Sequence, residues 1–269
     1  IYTAENSDRA FEEEVMLSGF GNAQVKGEGS GVSFDEAQET FTARYTHETV
    51  ALAFAITEEA IEDNLYDRLA SRYTKALARS MSNAKQVKAV EPLINGFGGG
   101  FTSGDGANLF STSHSTVSGS FQNTLTTQAD LNETSLEQSL IDIGQMTDER
   151  GLRIAARGVK MIIPSELQFT AERLMKSQGR TGTADNDINA IVSMGMVPQG
   201  YRVNNYLTDS DAFYILTDVP NGMKMFNRAP LTTAMEGDFD TGNVRYKARE
   251  RYSFGVSDPR GIFGVSGAA

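Results

Sequence analysis

The sequence predicts an α+β fold. Two observations lead there: residues 57–90 contain neither Gly nor Pro and read as one long helix, while the last third of the chain reads as strands. Mixed elements with the strands segregated along the chain make α+β the class. At 269 residues the chain is one large domain or two modest ones, and either length buries a real core.

The elements follow in order. Residues 8–17 read as a short amphipathic helix, with Phe11 and Val15 four apart. Next comes a run with Gly19, Gly21, Gly27, Gly29 and Gly31; glycines this dense weaken regular structure, so a flexible hairpin-like arm is expected. In residues 48–56, Val50, Leu52, Phe54 and Ile56 alternate against Thr49 and three alanines, the period of a strand. Thr57 then offers an N-cap, with Glu58 and Glu59 in the first turn, where the helix dipole favours anions. The stripe Ile61, Leu65, Leu69, Tyr73, Leu77, Met81, Ala84 and Val87 recurs mostly every fourth residue, so it winds around the rod and needs different partners along its length.

Residues 95–106 read as a loop. Thr134 to Glu137 reads as a capping box opening a helix through about Arg150, with Leu136, Leu140 and Ile143 inward. Val159 to Ile163 is a short buried strand, and Pro164 starts a helix running to Gly179. A short helix is expected around 187–194. Strands follow at Tyr201–Val203, Phe213–Leu216, Met223–Phe226 and 243–256.

Composition narrows the function. Cysteine is absent, which excludes disulfides, thiolate metal sites and a Cys nucleophile. No apolar run approaches the roughly 20 residues of a membrane helix, and no signal peptide is visible, so no membrane partner is expected. The chain starts at Ile1 rather than Met, which implies a processed start or a longer parent chain. Net charge is 24 − 35 = −11, unlike the basic surface of a nucleic-acid reader, although an acidic container can still enclose DNA without gripping it.

No catalytic, cofactor or metal site is expected. Gly96, Gly98, Gly99 and Gly100 lack the Gly-Lys-Ser/Thr ending of a phosphate loop and read as a linker. Asp185, Asp187 and Asn189 share the spacing of the first calcium-loop ligands. However, Ala190 stands where Gly is required and Met196 where a bidentate Glu is required, so a polar loop with an Asx cap is the reading. His114 is expected to hydrogen-bond within its loop, and His47 to lie at a surface or interface. The strand 243–256 puts Arg245, Lys247, Arg249 and Arg251 on one face. Just before it, Glu236, Asp238 and Asp240 alternate, and Thr241-Gly242 can turn a hairpin. Two readings stay open: a charge ladder within the hairpin, or cations that reach a neighbouring subunit. Those residues, with Lys26 in the glycine-rich arm, are the candidate interface.

The stretch Asp105-Gly106-Ala107-Asn108-Leu109-Phe110-Ser111-Thr112-Ser113-His114 resembles the DG-x-x-LFST-x-H signature of Mu-like phage major head subunits. Further landmarks in matching order are Thr46–Ala51, Ile56–Ala60, Asp130–Glu137, Ile163–Leu167 and Tyr252–Phe263; a Gly-rich insertion at 96–104 departs from the pattern. The resemblance implies the capsid fold named after phage Hong Kong 97. Residues 1–20 would form an N-terminal arm and 21–56 an extended E-loop lying on a neighbour. A peripheral domain would take 57–135, with a spine helix at 57–90, and the long strands 223–256. An axial domain would take 136–222, joined by a C-terminal return at 257–269. It also implies a non-enzymatic shell protein of the virion, assembled in the bacterial cytoplasm into pentameric and hexameric capsomers. Portal, scaffold or decoration proteins would be its other partners. In such shells a looser precursor matures by rigid-body rotation and bending of the spine helix. Here that bend would be absorbed without a proline in 57–90. The rivals are an encapsulin-like compartment and a soluble ligand-binding domain. An arm lysine crosslinks to a neighbour's asparagine in some relatives; no such bond is expected at Lys26.

Overall fold

A computed structural model of the chain describes residues 1–63, 66–180 and 187–268. Leu65 and the side chain of Leu69, both in the expected helical stripe, and Asp185 of the calcium-like spacing lie outside the described residues. The elements are β1 (Thr3–Asn6), β2 (Phe11–Leu17), β3 (Glu39–Thr46), β4 (Glu48–Ile56), α1 (Glu58–Glu62), α2 (Tyr66–Ile94), β5 (His114–Thr116) and β6 (Gly119–Phe121). They continue as α3 (Glu133–Gln145), β7 (Gly158–Ile163), α4 (Gln168–Lys176), α5 (Ala190–Ser193), β8 (Tyr201–Val203), β9 (Phe213–Thr217), β10 (Met223–Gly237), β11 (Val244–Val256) and β12 (Ile262–Val265).

Two four-stranded sheets organise the molecule, one ordered β1-β10-β11-β4 and the other β12-β9-β7-β8. In the first, β4 runs antiparallel along β11 from Ile56 opposite Val244 to Glu48 opposite Tyr252. The helix α2 crosses these strands, and its Leu77 and Met81 bury against Ala248, Val50 and Phe54. The alternation of residues 48–56 therefore sends Val50, Leu52 and Phe54 to the helix side and Thr49, Ala51, Ala53 and Ala55 to the other. In the second sheet β7 is covered on both faces. Met161 and Ile163 pack with Leu136, Ile143, Phe213 and Phe263, while Ile162 packs with Leu93, Leu109 and Tyr214. That double burial explains a strand without alternation. The latter cluster also holds Met223 and Val256, so it binds one sheet to the other.

Several expectations are corrected. Residues 11–17 are a strand, not part of a helix: a spacing of four fits a period of two as well as 3.6, and pairing from Phe11 opposite Thr46 to Leu17 opposite Glu39 decides it. Thr57 does cap α1, accepting from Ala60 N–H at 3.4 Å, but α1 closes at Asp63, so the helix is not one rod from residue 57. At the other end α2 passes Val90 to Ile94 and includes Pro92. Its 29 residues span about 44 Å at 1.5 Å each. Tyr73 and Val87 are exposed; beyond Met81 the contact side of the helix carries the half-buried Lys85 and Lys88, which reach Glu250 at 3.2 Å and Glu48 at 2.5 Å. An apolar pattern cannot register a lysine stem laid along a contact.

The helix α3 is capped by Asn132, not Thr134. Asn132 Oδ1 accepts from Ser135 N–H at 2.8 Å, and Ser135 Oγ accepts from Asn132 N–H at 3.0 Å. The helix stops at Gln145 rather than Arg150 because Met146 leaves helical geometry at ψ 144°. The next helix, α4, starts at Gln168 rather than at Pro164, ends at Lys176, and α5 is capped by Asn189. The strand from Met223 continues far past Phe226, to Gly237.

Candidate assembly interface

Two projections carry the residues of interest. The first is the hairpin of β2 and β3 with the intervening residues 18–38. Its root is fixed by charge. The Lys224 ammonium, almost fully buried, lies 3.1 Å from Glu5 and bonds Glu14, which in turn bonds the Ser257 hydroxyl, itself bonded to Tyr45. Burial favours the neutral amine, but the hydrogen bonds it donates to Glu14 and Glu5 outweigh this and hold Lys224 above the ordinary lysine range. His47, at the junction of β3 and β4, is buried rather than surface-exposed, which corrects the sequence reading. Its Nδ1 is 2.9 Å from Ser253 Oγ and its Nε2 is 3.0 Å from Ser7 Oγ. Farther out, Arg150 Nη2 reaches Asp35 Oδ1 at 3.1 Å. Beyond these ties the arm leaves large apolar groups in water: Val25 is 100% exposed and Phe34 97%, with Phe20 and Val32 also exposed. A soluble globule has no reason to present so many together.

The second projection is the β10–β11 ribbon. Its turn closes with Asp238 N–H donating to Asn243 O at 2.8 Å and Gly242 N–H to Asp238 O at 2.9 Å. Gly242 sits at φ +65°, a left-handed position that favours glycine. Along β11, Arg245, Lys247, Arg249 and Arg251 face away from α2. The neighbours directly opposite them on β4 are Ala55, Ala53, Ala51 and Thr49; on β10 they are Glu236, Ala234, Thr232 and Ala229. The result is a ridge of cations flanked by small side chains. The charge ladder within the hairpin is confined to the tip, where Arg245 pairs with Asp238 and stands opposite Glu236. Asp238 is held below the ordinary carboxylate range by the Thr241 hydroxyl and by Arg245. Lys247, Arg249 and Arg251 have no ion-pair partner among the described residues. Glu250 belongs to the other face, beneath Lys85.

The Asp105–His114 stretch is a brace. His114 Nδ1 is 2.8 Å from Asp105 Oδ2 and Nε2 is 3.1 Å from Asn123 Oδ1, inside the loop as expected. Asn123 Nδ2 donates to Leu109 O at 2.7 Å and Pro259 O at 3.0 Å, which ties the loop to the C-terminal tail. Burial pushes the Asp105 carboxyl up, but the hydrogen bond and charge of His114 bring it below the usual range. Of the glycines after α2, Gly96 is packed, since a Cβ there would lie 2.7 Å from the Phe110 ring, while Gly98, Gly99 and Gly100 are exposed, as a linker would be. Sequence reasoning missed Arg260, which is 2% exposed. Its Nη2 lies 2.6 Å from Glu149 Oε1, its Nη1 3.2 Å from Asp258 Oδ1, and its Nε donates to Thr147 O at 2.7 Å.

A projecting arm, a ribbon with an unneutralised ridge and a helix spread along a sheet together describe a part of something larger. A family model described as phage capsid protein matches residues 39–265. The chain belongs to that family. This phage capsid protein matches no curated protein. Among solved structures, the capsid of the native GTA particle is 16% identical with a TM-score of 0.61, covering 100% of this chain and 89% of that one. The capsid of Myoviridae phage XM1 is 12% identical with a TM-score of 0.58, covering 99% of this chain and 89% of that one. The virus-like particle from Pyrococcus furiosus is 12% identical with a TM-score of 0.52, covering 98% and 89%. The fold is the Hong Kong 97-type capsid fold, as the α+β reading and its resemblance implied, and the protein is a structural component of a capsid shell.

Proposed function

We propose that this capsid protein is the major head subunit of a Mu-like tailed phage, assembling in the bacterial cytoplasm into an icosahedral head around double-stranded DNA. Heterologous contacts between identical plates close into rings, which here are the pentameric and hexameric capsomers. In this reading residues 1–20 are the N-terminal arm, and the extended loop 21–56 draws in the strand Phe11–Leu17 at its root. The peripheral domain takes α2 and the long strands 223–256, and residues 136–222 with the tail 257–269 form the axial domain. Portal, scaffold or decoration proteins are the further partners. DNA is enclosed without sequence-specific contact, in keeping with a net charge of −11.

The observation that carries the reading is the arm, whose Val25 and Phe34 are wholly uncovered by their own chain. Apolar area of this kind is worth roughly 25 cal/mol per Å² once another surface removes it from water. Lys26 and the ridge Arg245, Lys247, Arg249 and Arg251 are the residues taken to contact neighbours, with Glu236, Asp238 and Asp240 at the ribbon tip. Expression of the chain followed by size-exclusion chromatography and negative-stain microscopy tests this. Closed shells with five- and six-membered capsomers are expected, and a stable monomer would contradict it.

A further inference from the structure

The outer edge of β10 is open over half its length. The strand β1 pairs with β10 only as far as Asn6 opposite Asn227, and Ser7 N–H adds a last bond to Asn227 O at 3.1 Å. An irregular stretch follows, between Asn227 and Thr232. From Thr232 to Gly237 the strand is regular again, exposed, and without a neighbour on that side among the described residues. Proteins ordinarily blunt such edges. This one instead carries exposed Leu231 and Met235 on one face and the small Thr232 and Ala234 on the other.

Charge is divided along the same ribbon. The acidic residues Glu236, Asp238 and Asp240 lie at the tip, and the unpaired cations Lys247, Arg249 and Arg251 lie toward the base. A segment that is acidic at one end and basic at the other is complementary to itself when reversed. That is the requirement for an isologous two-fold contact, in which each patch meets its own copy.

We propose that Thr232–Glu236 pairs antiparallel with the same edge of a second copy, about a two-fold axis at Ala234, bringing Glu236 of each chain to Arg249 of the other. With the axis there, Thr232 stands opposite Glu236 of the second copy, and Thr233 opposite its Met235. Arg249 is the cross-strand neighbour of Thr232, so it lies two strand spacings, about 10 Å, from that glutamate. The threonine between them is small enough for the two long side chains to meet above it. On the reverse face, Met235 of each chain covers Thr233 of the other beside Tyr246. The pairing rests on the capsid reading and adds to it one contact, between two copies related by a two-fold axis.

The absence of cysteine makes the test direct. A residue on a two-fold axis meets itself, so Ala234→Cys should yield covalent chain pairs when assembled particles are mildly oxidised and run on a non-reducing denaturing gel. Asp240→Cys should stay single, because the two tips would be about 40 Å apart at 3.4 Å per residue. Particles that form normally but give no more pairs from Ala234→Cys than from Asp240→Cys would overturn the pairing. Absence of particles from the unmodified chain would instead strike the capsid reading, and this one with it. Should Ala234→Cys itself block assembly, charge exchange decides. Glu236→Arg is expected to lower particle yield and Arg249→Glu added to it to restore the yield; a double variant no better than the single one overturns the proposal.

Discussion

Glu250 Oε2 lies 3.2 Å from Lys85 Nζ on the helix side of β11, while Arg249 and Arg251 on either side of it face the opposite way. The one carboxylate in the middle of this strand is therefore spent within the subunit, and the cations beside it are left for something else. Replacing the exposed Lys247 and Arg249 together by Glu should sharply reduce particle yield. Subunit stability should change by no more than about 0.5 kcal/mol per site, as at surface positions without a partner. Chemical denaturation of the subunit beside particle yield checks this; equal loss of both would return the ridge to an intramolecular role.

The Arg260 cluster behaves in the opposite sense. Both Arg260 and Glu149 are 2% exposed, so removing the guanidinium strands a buried carboxylate. Arg260→Met should cost about 3–5 kcal/mol of subunit stability. Urea unfolding measures this, and a loss below that range would mean water reaches Glu149 once the arginine is gone.

Acid should loosen the root of the arm. Burial, and then the nearby Arg251 and Arg228 guanidiniums, hold His47 below its ordinary value of 6.5 against the opposing pull of Glu12. The folded state then binds this proton less readily than the unfolded chain does, so stability is lost as pH falls below 6.5 toward the lower folded value. Thermal midpoints measured from neutral pH down to about 5 should fall less steeply in His47→Gln than in the unmodified chain. Identical slopes would remove His47 from the account.

Gly222 and Gly261 cross backbone to backbone. A Cβ on Gly222 would lie 2.7 Å from the Gly261 Cα, and neither main chain can rotate away as a side chain could. Gly222→Ala should therefore cost about 1–3 kcal/mol. A melting curve decides, and an unchanged midpoint would show that the crossing can open.

What the sequence disclosed and what it hid divide along physical lines. The strand at 48–56 and the cation row on 243–256 were legible because each depends on alternation along one segment. The strands at 201–203 and 213–217 were also read in place, the latter as a short apolar run. The strand at Phe11–Leu17 was misread because its apolar spacing suits either period, and only its partner, a stretch some thirty residues on, resolves the choice. The burial of His47 depends on Ser7 and Ser253, and that of Arg260 on Glu149, contacts that no local pattern encodes. The candidate interface was legible as a face of cations; which of them lack partners was not, since that depends on the register between β10, β11 and β4.

The central claim is that the arm is uncovered in the subunit and covered in the shell. Lys26 is the only lysine or arginine between residues 18 and 38, so trypsin has one site there. Cleavage after Lys26, followed by mass spectrometry in dissociated subunits and in assembled particles, reads the cover directly. The account predicts rapid cleavage in subunits and protection in particles; cleavage at equal rates in both would contradict it.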